Sequence, residues 1–198
     1  MSASVRRLAP ALLLLVAPPV LAHTETALAG GFASGFLHPL AGGDHLLAMV
    51  AVGIWGAVLG APLVWLLPVT FPLLMVMGAM AALAGLGLPA VEPGIALSVV
   101  VLGCAIAAFW RAGPPAALLV VAGFGFLHGY AHGAELPAAA APAAYACGFV
   151  LASGMLHLAG IALGTVRAVP RGAAVLRVLG GAIAVAGAWM LLGRPGWA

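Results

Sequence analysis

The amino-acid sequence predicts an all-α membrane protein in which a cleavable signal peptide is followed by six transmembrane helices. Hydrophobic residues make up 65% of the 198 residues and charged residues only 6%, whereas about a quarter of the residues in a soluble domain are charged. Apolar runs long enough to cross a bilayer recur along the chain, with glycine and proline between them. The amino terminus also has the charge and cleavage pattern of a secretory signal.

The signal peptide is predicted over residues 1–22. Arg6 and Arg7 precede an apolar run over residues 8–20, and the small residue Ala22 follows Val-Leu at a position where a signal peptidase would cut. We expect export by the general secretory route and cleavage after Ala22. An uncleaved amino-terminal anchor is the alternative interpretation.

Residues 23–198 form one predicted transmembrane domain. Its six apolar segments cover approximately residues 31–58, 63–86, 94–110, 116–132, 141–166 and 173–192. The first segment is longer than a straight span requires and contains Pro39 and the pair Gly42-Gly43, which predict a kinked or broken helix. Irregular backbone at membrane depth must face protein or a water-filled cavity. We therefore expect this break to line a binding site.

The arginines predict the orientation of the spans. Four of them fall in or near the connections on one side, namely Arg111 after the third span and Arg167, Arg171 and Arg177 around the turn from the fifth to the sixth, and Arg194 falls on the other side. Positively charged loops favour the cytoplasmic side, so both mature termini are predicted on the outer side. The chain has too few charges to follow a phosphate backbone, which excludes nucleic acid as a partner. Cys104 and Cys147 lie in separate spans and are expected to be small buried side chains.

Ionisable residues are concentrated in three apolar segments. They are His38, Asp44 and His45 in the first segment, His128 and His132 in the fourth, with Glu135 shortly after its end, and His157 in the fifth. Each ionisable group near the bilayer centre costs about 2.5 to 3.5 kcal/mol on insertion scales, so a compensating partner is required. Imidazole with carboxylate suits a divalent first-row metal, and six-coordinate nickel or cobalt would accept this set. A lone membrane histidine can instead serve as an interhelical hydrogen-bonding group.

Two of these segments resemble each other. GFLHPLAGGDHL over residues 35–46 matches GFLHGYAHGAEL over residues 125–136, with His38 aligned to His128. Three spans per half would give the halves opposite orientations, as in the inverted repeats of secondary transporters. The shared Gly-Phe-Leu-His is short, and a chance match in a chain rich in these residues stays open.

The polar motifs resemble those of the HupE/UreJ family, proposed nickel permeases associated with hydrogenase and urease operons. HPLAGGDHLLAMVAVGIW (38–55) is similar to the first-span signature of the family, HGYAHGAE (128–135) to its second and SGMLHLAG (153–160) to its third. The resemblance implies a multi-pass protein of the bacterial inner membrane, so the outer side on which the arginines predict both termini would be the periplasm. It also implies a nickel site with the candidate ligands His38, Asp44, His45, His128, His132, Glu135 and His157.

The predicted function is uptake of a divalent cation by a secondary transporter or facilitator, not an enzyme. The resemblance indicates Ni²⁺, with Co²⁺ as the alternative, moving from periplasm to cytoplasm for hydrogenase or urease maturation. The sequence contains no Walker loop, GxxxxGK[ST], and so no sign of an ATPase. The membrane potential alone favours inward movement of a divalent ion by about 4.6 kcal/mol per 100 mV. Protons compete for the ligands, so uptake should weaken as external pH falls through about 6.5.

Two other classes of protein remain open. Paired membrane histidines also bind haem in electron-transfer proteins, although Asp44 and Glu135 would place anions beside such a haem. An intramembrane hydrolase would use Ser153 or a histidine-bound zinc. The sequence LASG around Ser153 lacks the Gly-x-Ser-Gly pattern of rhomboid proteases, and no HExxH occurs.

Overall fold

The computed structural model describes residues 31–134 and 142–193, and every regular element in these ranges is a helix. The elements, in chain order, are α1 (Phe32–Ala41), α2 (Gly43–Leu59), α3 (Leu63–Leu83), α4 (Val91–Ala107), α5 (Pro114–Ala134), α6 (Pro142–Gly164), a short 3-10 helix (Thr165–Ala168) and α7 (Gly172–Gly193). Each predicted apolar segment therefore corresponds to one helix or, for the first segment, to a pair. The predicted signal peptide, residues 1–22, lies outside the described residues.

The protein is a multi-pass membrane protein, but its structure does not confirm all six predicted spans. Four helices of the described chain are long and apolar enough to cross a bilayer, and they are α3, α5, α6 with its 3-10 extension, and α7. The bent pair α1 and α2 makes a fifth if it counts as one span. Helix α4 is apolar but has only 17 residues, which extend about 26 Å at 1.5 Å per residue, less than the hydrocarbon core of about 30 Å.

The predicted break in the first segment is confirmed. Helices α1 and α2 meet at an angle of 81°, and Gly42 between them has an extended backbone conformation. Pro39 inside α1 has no backbone N–H to donate to the preceding turn. Because of this sharp bend, α2 leaves the end of α1 in a different direction and does not continue along its axis.

Helix α2 is the centre of the bundle. Almost every residue from Ala48 to Val58 is buried, as expected for a helix that is apolar on all sides. It packs against α3, α4 and α6. Large exposed apolar side chains, such as Trp65 and Leu73 of α3 and Trp189 of α7, lie on the outside of the bundle, where lipid would cover them.

Glycines allow the closest helix pairs to form. On α5, a Cβ at Gly125, Gly129 or Gly133 would overlap the backbone of α3. Small residues at helical spacing let helix backbones approach in this way in membranes. Helix α6 approaches α1 and α2 through glycines too, and α4 approaches α7.

Three arginines lie together at one end of the bundle. Arg111 and Arg167 each donate from Nη1 to the backbone carbonyl of Val58, at 2.9 and 3.3 Å. Arg177 donates to the carbonyl of Ala107 at 3.0 Å. These contacts satisfy carbonyls in the last turns of α2 and α4 that have no partner within the helix. We call this end of the bundle, with Arg111, Arg167 and Arg177, the arginine end. Its arginines are among those that the sequence predicts on one side of the membrane.

Both cysteines differ from the expectation of burial. Cys104 and Cys147 are free thiols and are exposed on the outside of the bundle. Each lies on a side of its helix that no other helix covers in the described residues, and hydropathy alone does not identify that side.

Candidate metal site

Four histidines from three helices converge at the bend between α1 and α2. His38 belongs to α1, His45 to α2, and His128 and His132 to α5. The ring centroid of His132 lies 4.7 Å from that of His38 and 4.5 Å from that of His45. His45 is also 4.8 Å from His128 and 6.1 Å from His38. We call these four residues the four-histidine cluster.

The local sequence explains this convergence. The bend at Gly42 turns His45 back toward His38, which otherwise would lie about two turns away along one helix. His128 and His132 have the i and i+4 spacing that sets two side chains side by side on a helix. The ring of Phe149 on α6 closes the cluster, with its centroid 4.8 Å from that of His132.

Hydrogen bonds fix the ring nitrogens of two members. His45 Nδ1 donates to Asp44 Oδ1 at 2.8 Å, and His128 Nδ1 donates to the backbone carbonyl of Phe124 at 2.9 Å. The Nε2 atom then carries the lone pair in both rings. Metal-binding histidines almost always donate the other ring N–H to a carboxylate or a backbone carbonyl in this manner.

The Nε2 atoms are the strongest indication that these residues bind a metal ion. Within the described residues, Nε2 is buried without a hydrogen-bond partner in His45, His128, His132 and His157. Buried polar atoms are paired in the large majority of cases, and leaving one unpaired costs about 1–3 kcal/mol. The three of these atoms that belong to the cluster lie together in an apolar interior, where a cation that accepts imidazole ligands would be a suitable shared partner.

The cluster does not form a finished coordination sphere. In residues 31–134 and 142–193, no three His, Cys, Asp or Glu side chains already stand where they would hold one metal ion. The rings instead meet edge to face or tilted, so they would have to turn to bind a single ion. A cavity of about 170 Å³ beside His132, lined mainly by apolar residues such as Met75 and Phe149, leaves space for that movement.

The predicted site residues differ in their placement. Asp44 contacts His45 and is adjacent to the cluster. His157 on α6 is 2% exposed and lies apart from the cluster, with its ring against Phe71 at 5.7 Å. Glu135 lies outside the described residues. Phe71, which also contacts His128 at 5.2 Å, was missed by sequence reasoning.

The two Gly-Phe-Leu-His segments make equivalent contacts. A Cβ at Gly35 of the first segment would overlap the backbone carbonyl of Tyr145, and one at Gly125 of the second would approach that of Phe71. The histidine that ends the first segment has its ring 6.1 Å from the ring of Tyr145, and the second has its ring 5.2 Å from that of Phe71. Each segment thus sets a glycine and a histidine against one aromatic residue of a neighbouring helix.

Comparison with known proteins identifies similar sequences. The family model described as HupE / UreJ protein matches residues 11–190. Protein HupE of Rhizobium leguminosarum bv. viciae is 42% identical over 179 residues, which cover 90% of this chain and 94% of that protein. No solved structure matches.

Proposed function

Because this chain belongs to the HupE/UreJ family, we propose that it is a secondary transporter or facilitator that carries Ni²⁺ from the periplasm into the cytoplasm. The family consists of transporter-type membrane proteins, not enzymes, and is associated with nickel and cobalt transport. The proposal adds the ion, the direction and the residues that bind it. The nickel would serve the maturation of hydrogenase or urease.

The observation that most strongly supports the proposal is that three members of the four-histidine cluster, His45, His128 and His132, have a buried Nε2 atom without a hydrogen-bond partner. Neutral imidazoles bind nickel and cobalt well. We assign His38, His45, His128 and His132 as the ligands that the ion meets first. Asp44 orients His45 through its carboxylate, and Glu135, which follows His132 on the same segment, is a further candidate ligand.

The position of the cluster fits entry from the outer side. His45 lies in the first turn of α2 and Val58 in its last, so about 20 Å of helix separate the cluster from the arginine end. If the arginine end faces the cytoplasm, as positively charged ends usually do, the cluster lies near the periplasmic side. His38 is partly exposed, whereas the core between the cluster and the arginines is closed.

The equivalent contacts of the two Gly-Phe-Leu-His segments favour an inverted repeat. We propose that α1 to α4 form one half and α5 to α7 the other, so that each half has three spans. In this proposal the signal peptide is removed and the protein lies in the inner membrane. Sites of such transporters lie at the interface of the repeats, and the four-histidine cluster combines residues of both halves. The membrane potential, at about 4.6 kcal/mol per 100 mV for a divalent ion, provides enough driving force without ATP.

Isotopic Ni²⁺ uptake in cells tests the proposal. Cells that express the wild-type protein should accumulate Ni²⁺ above the vector control, and His45→Ala or His132→Ala should remove that excess at matched expression. Ser98→Ala is the matched control, because Ser98 is buried but donates within its own helix to Ile95. Undiminished uptake by both histidine variants would refute the assignment of the site.

A further inference from the structure

Phe71 of α3 contacts both the four-histidine cluster and His157. Its side chain is fully buried, with its ring centroid 5.2 Å from that of His128 and 5.7 Å from that of His157. Within the described chain, His157 makes no ring contact with another histidine, and its Nε2 has no hydrogen-bond partner. The phenyl ring therefore contacts one imidazole of the cluster and the imidazole of His157.

His157 lies deeper in the bundle than the cluster does. A Cβ at Gly53 would overlap the backbone carbonyl of His157, and Gly53 is about 12 Å beyond His45 along α2 at 1.5 Å per residue. Side chains on a helix tilt toward its amino terminus, and α6 begins at the cluster end of the bundle. The imidazole of His157 thus reaches back toward Phe71 from the side of the arginine end.

The backbone around Phe71 is suited to local movement. Pro68 and Pro72 both lie inside α3, and each removes a backbone hydrogen bond that would stiffen this part of the helix. The equivalent aromatic residue, Tyr145, covers His38 at the outer side and is only partly buried. The protein thus has an aromatic residue on either side of the cluster. The inner one, Phe71, is more deeply buried than Tyr145.

We propose that Phe71 is the inner gate of the transport pathway and that His157 is the first metal-binding group beyond it. The inference rests on the proposed function. Displacement of the phenyl ring lets the ion exchange an imidazole of the cluster, such as His128, for that of His157, with its remaining ligands supplied by water. While the ring is in place, the ion is held on the outer side.

The experiment separates binding from movement through the bundle. Equilibrium binding of Ni²⁺ is measured on purified protein in detergent, and the initial rate of Ni²⁺ entry is measured in proteoliposomes. We expect His157→Gln and Phe71→Trp to bind Ni²⁺ within about twofold of the wild-type affinity but to transport it at least tenfold more slowly. Phe71→Leu, with a smaller side chain, should bind Ni²⁺ at least as tightly as the wild type and transport it at least as fast. Leu67→Ala, which removes buried volume one turn away, is the packing control and should keep both activities.

The outcomes distinguish this inference from the proposed function. A wild-type protein that neither binds nor transports Ni²⁺ would overturn both. With an active wild type, the inference alone is overturned if His157→Gln weakens binding as much as His45→Ala does, because His157 would then belong to the cluster. Wild-type transport by Phe71→Trp or by His157→Gln would overturn it as well.

Discussion

Replacement of Asp44 by asparagine tests how the carboxylate serves the four-histidine cluster. Asp44 Oδ1 accepts one hydrogen bond from His45 Nδ1 and a second from the His45 backbone N–H, both at 2.8 Å. The first bond fixes the tautomer that leaves the buried Nε2 of His45 with a lone pair. Asparagine keeps the size and one acceptor oxygen but removes the negative charge that polarises the imidazole.

The expected loss follows from the burial of this pair. The side chains of His45 and Asp44 are only 10% and 19% exposed, so solvent screens their interaction weakly. Loss of a partner that orients a metal-binding histidine costs about 10- to 100-fold in metal affinity, or about 1.4–2.7 kcal/mol at 1.36 kcal/mol per tenfold. We expect Asp44→Asn to weaken Ni²⁺ binding by an amount in this range.

A double-mutant cycle shows whether Asp44 acts through His45. Ni²⁺ affinity is measured by equilibrium dialysis for the wild type, Asp44→Asn, His45→Ala and the double variant. If the carboxylate works by orienting His45, Asp44→Asn should change the affinity of the His45→Ala protein by less than about twofold. The coupling energy would then nearly equal the whole effect of the single substitution.

Two results would refute this reasoning. A 10- to 100-fold loss in both backgrounds would show that Asp44 contributes independently of His45, for example as a direct ligand. Wild-type affinity of Asp44→Asn would show that the carboxylate has no part in binding.

Three further predictions concern packing, orientation and selectivity. Gly129→Ala should lower the yield of monodisperse protein in size-exclusion chromatography, because its Cβ would overlap the Met75 backbone. Gly123→Ala on the same helix meets open space and should behave as wild type. Equal yields of the two variants would contradict the close α3–α5 packing. Arg171→Cys, in a protein whose native cysteines are replaced by serine, should react with a membrane-impermeant maleimide in inverted vesicles and not in intact spheroplasts, and the reverse pattern would reverse the proposed orientation. Co²⁺ in tenfold excess should reduce Ni²⁺ uptake, while Mg²⁺ at the same concentration should not, since it prefers oxygen ligands; equal inhibition by both ions would argue against imidazole ligands.

The helices and the break could be predicted because both depend on local sequence. Apolar runs identify helices in a bilayer, and Pro39 with Gly42 disrupts the helix at the place where the structure bends by 81°. The adjacency of His128 and His132 is likewise a property of helical spacing. The short α4 limits the prediction of six spans, because an apolar run does not fix where a helix begins and ends.

The partners of individual side chains could not be predicted, because they depend on which helices pack together. The sequence predicted Asp44 as a metal-site residue and His157 as a further candidate, yet Asp44 bonds to its neighbour His45 and His157 packs against Phe71. Only the pairing of α3 with α5 and α6 reveals this separation. The sequence feature that could have drawn attention to Phe71 is the pair of prolines on either side of it, Pro68 and Pro72. A search for apolar runs passes over such a pair.

The central claim is that buried imidazoles of separate helices bind one divalent ion. Nickel X-ray absorption spectroscopy of the purified, Ni²⁺-loaded protein tests it most directly, together with the binding stoichiometry. We predict one Ni²⁺ per chain, with the multiple-scattering pattern of several imidazole ligands, and a smaller imidazole contribution in any residual Ni²⁺ bound by His132→Ala. A wild-type spectrum of nickel bound by oxygen ligands alone, unchanged in His132→Ala, would contradict the account.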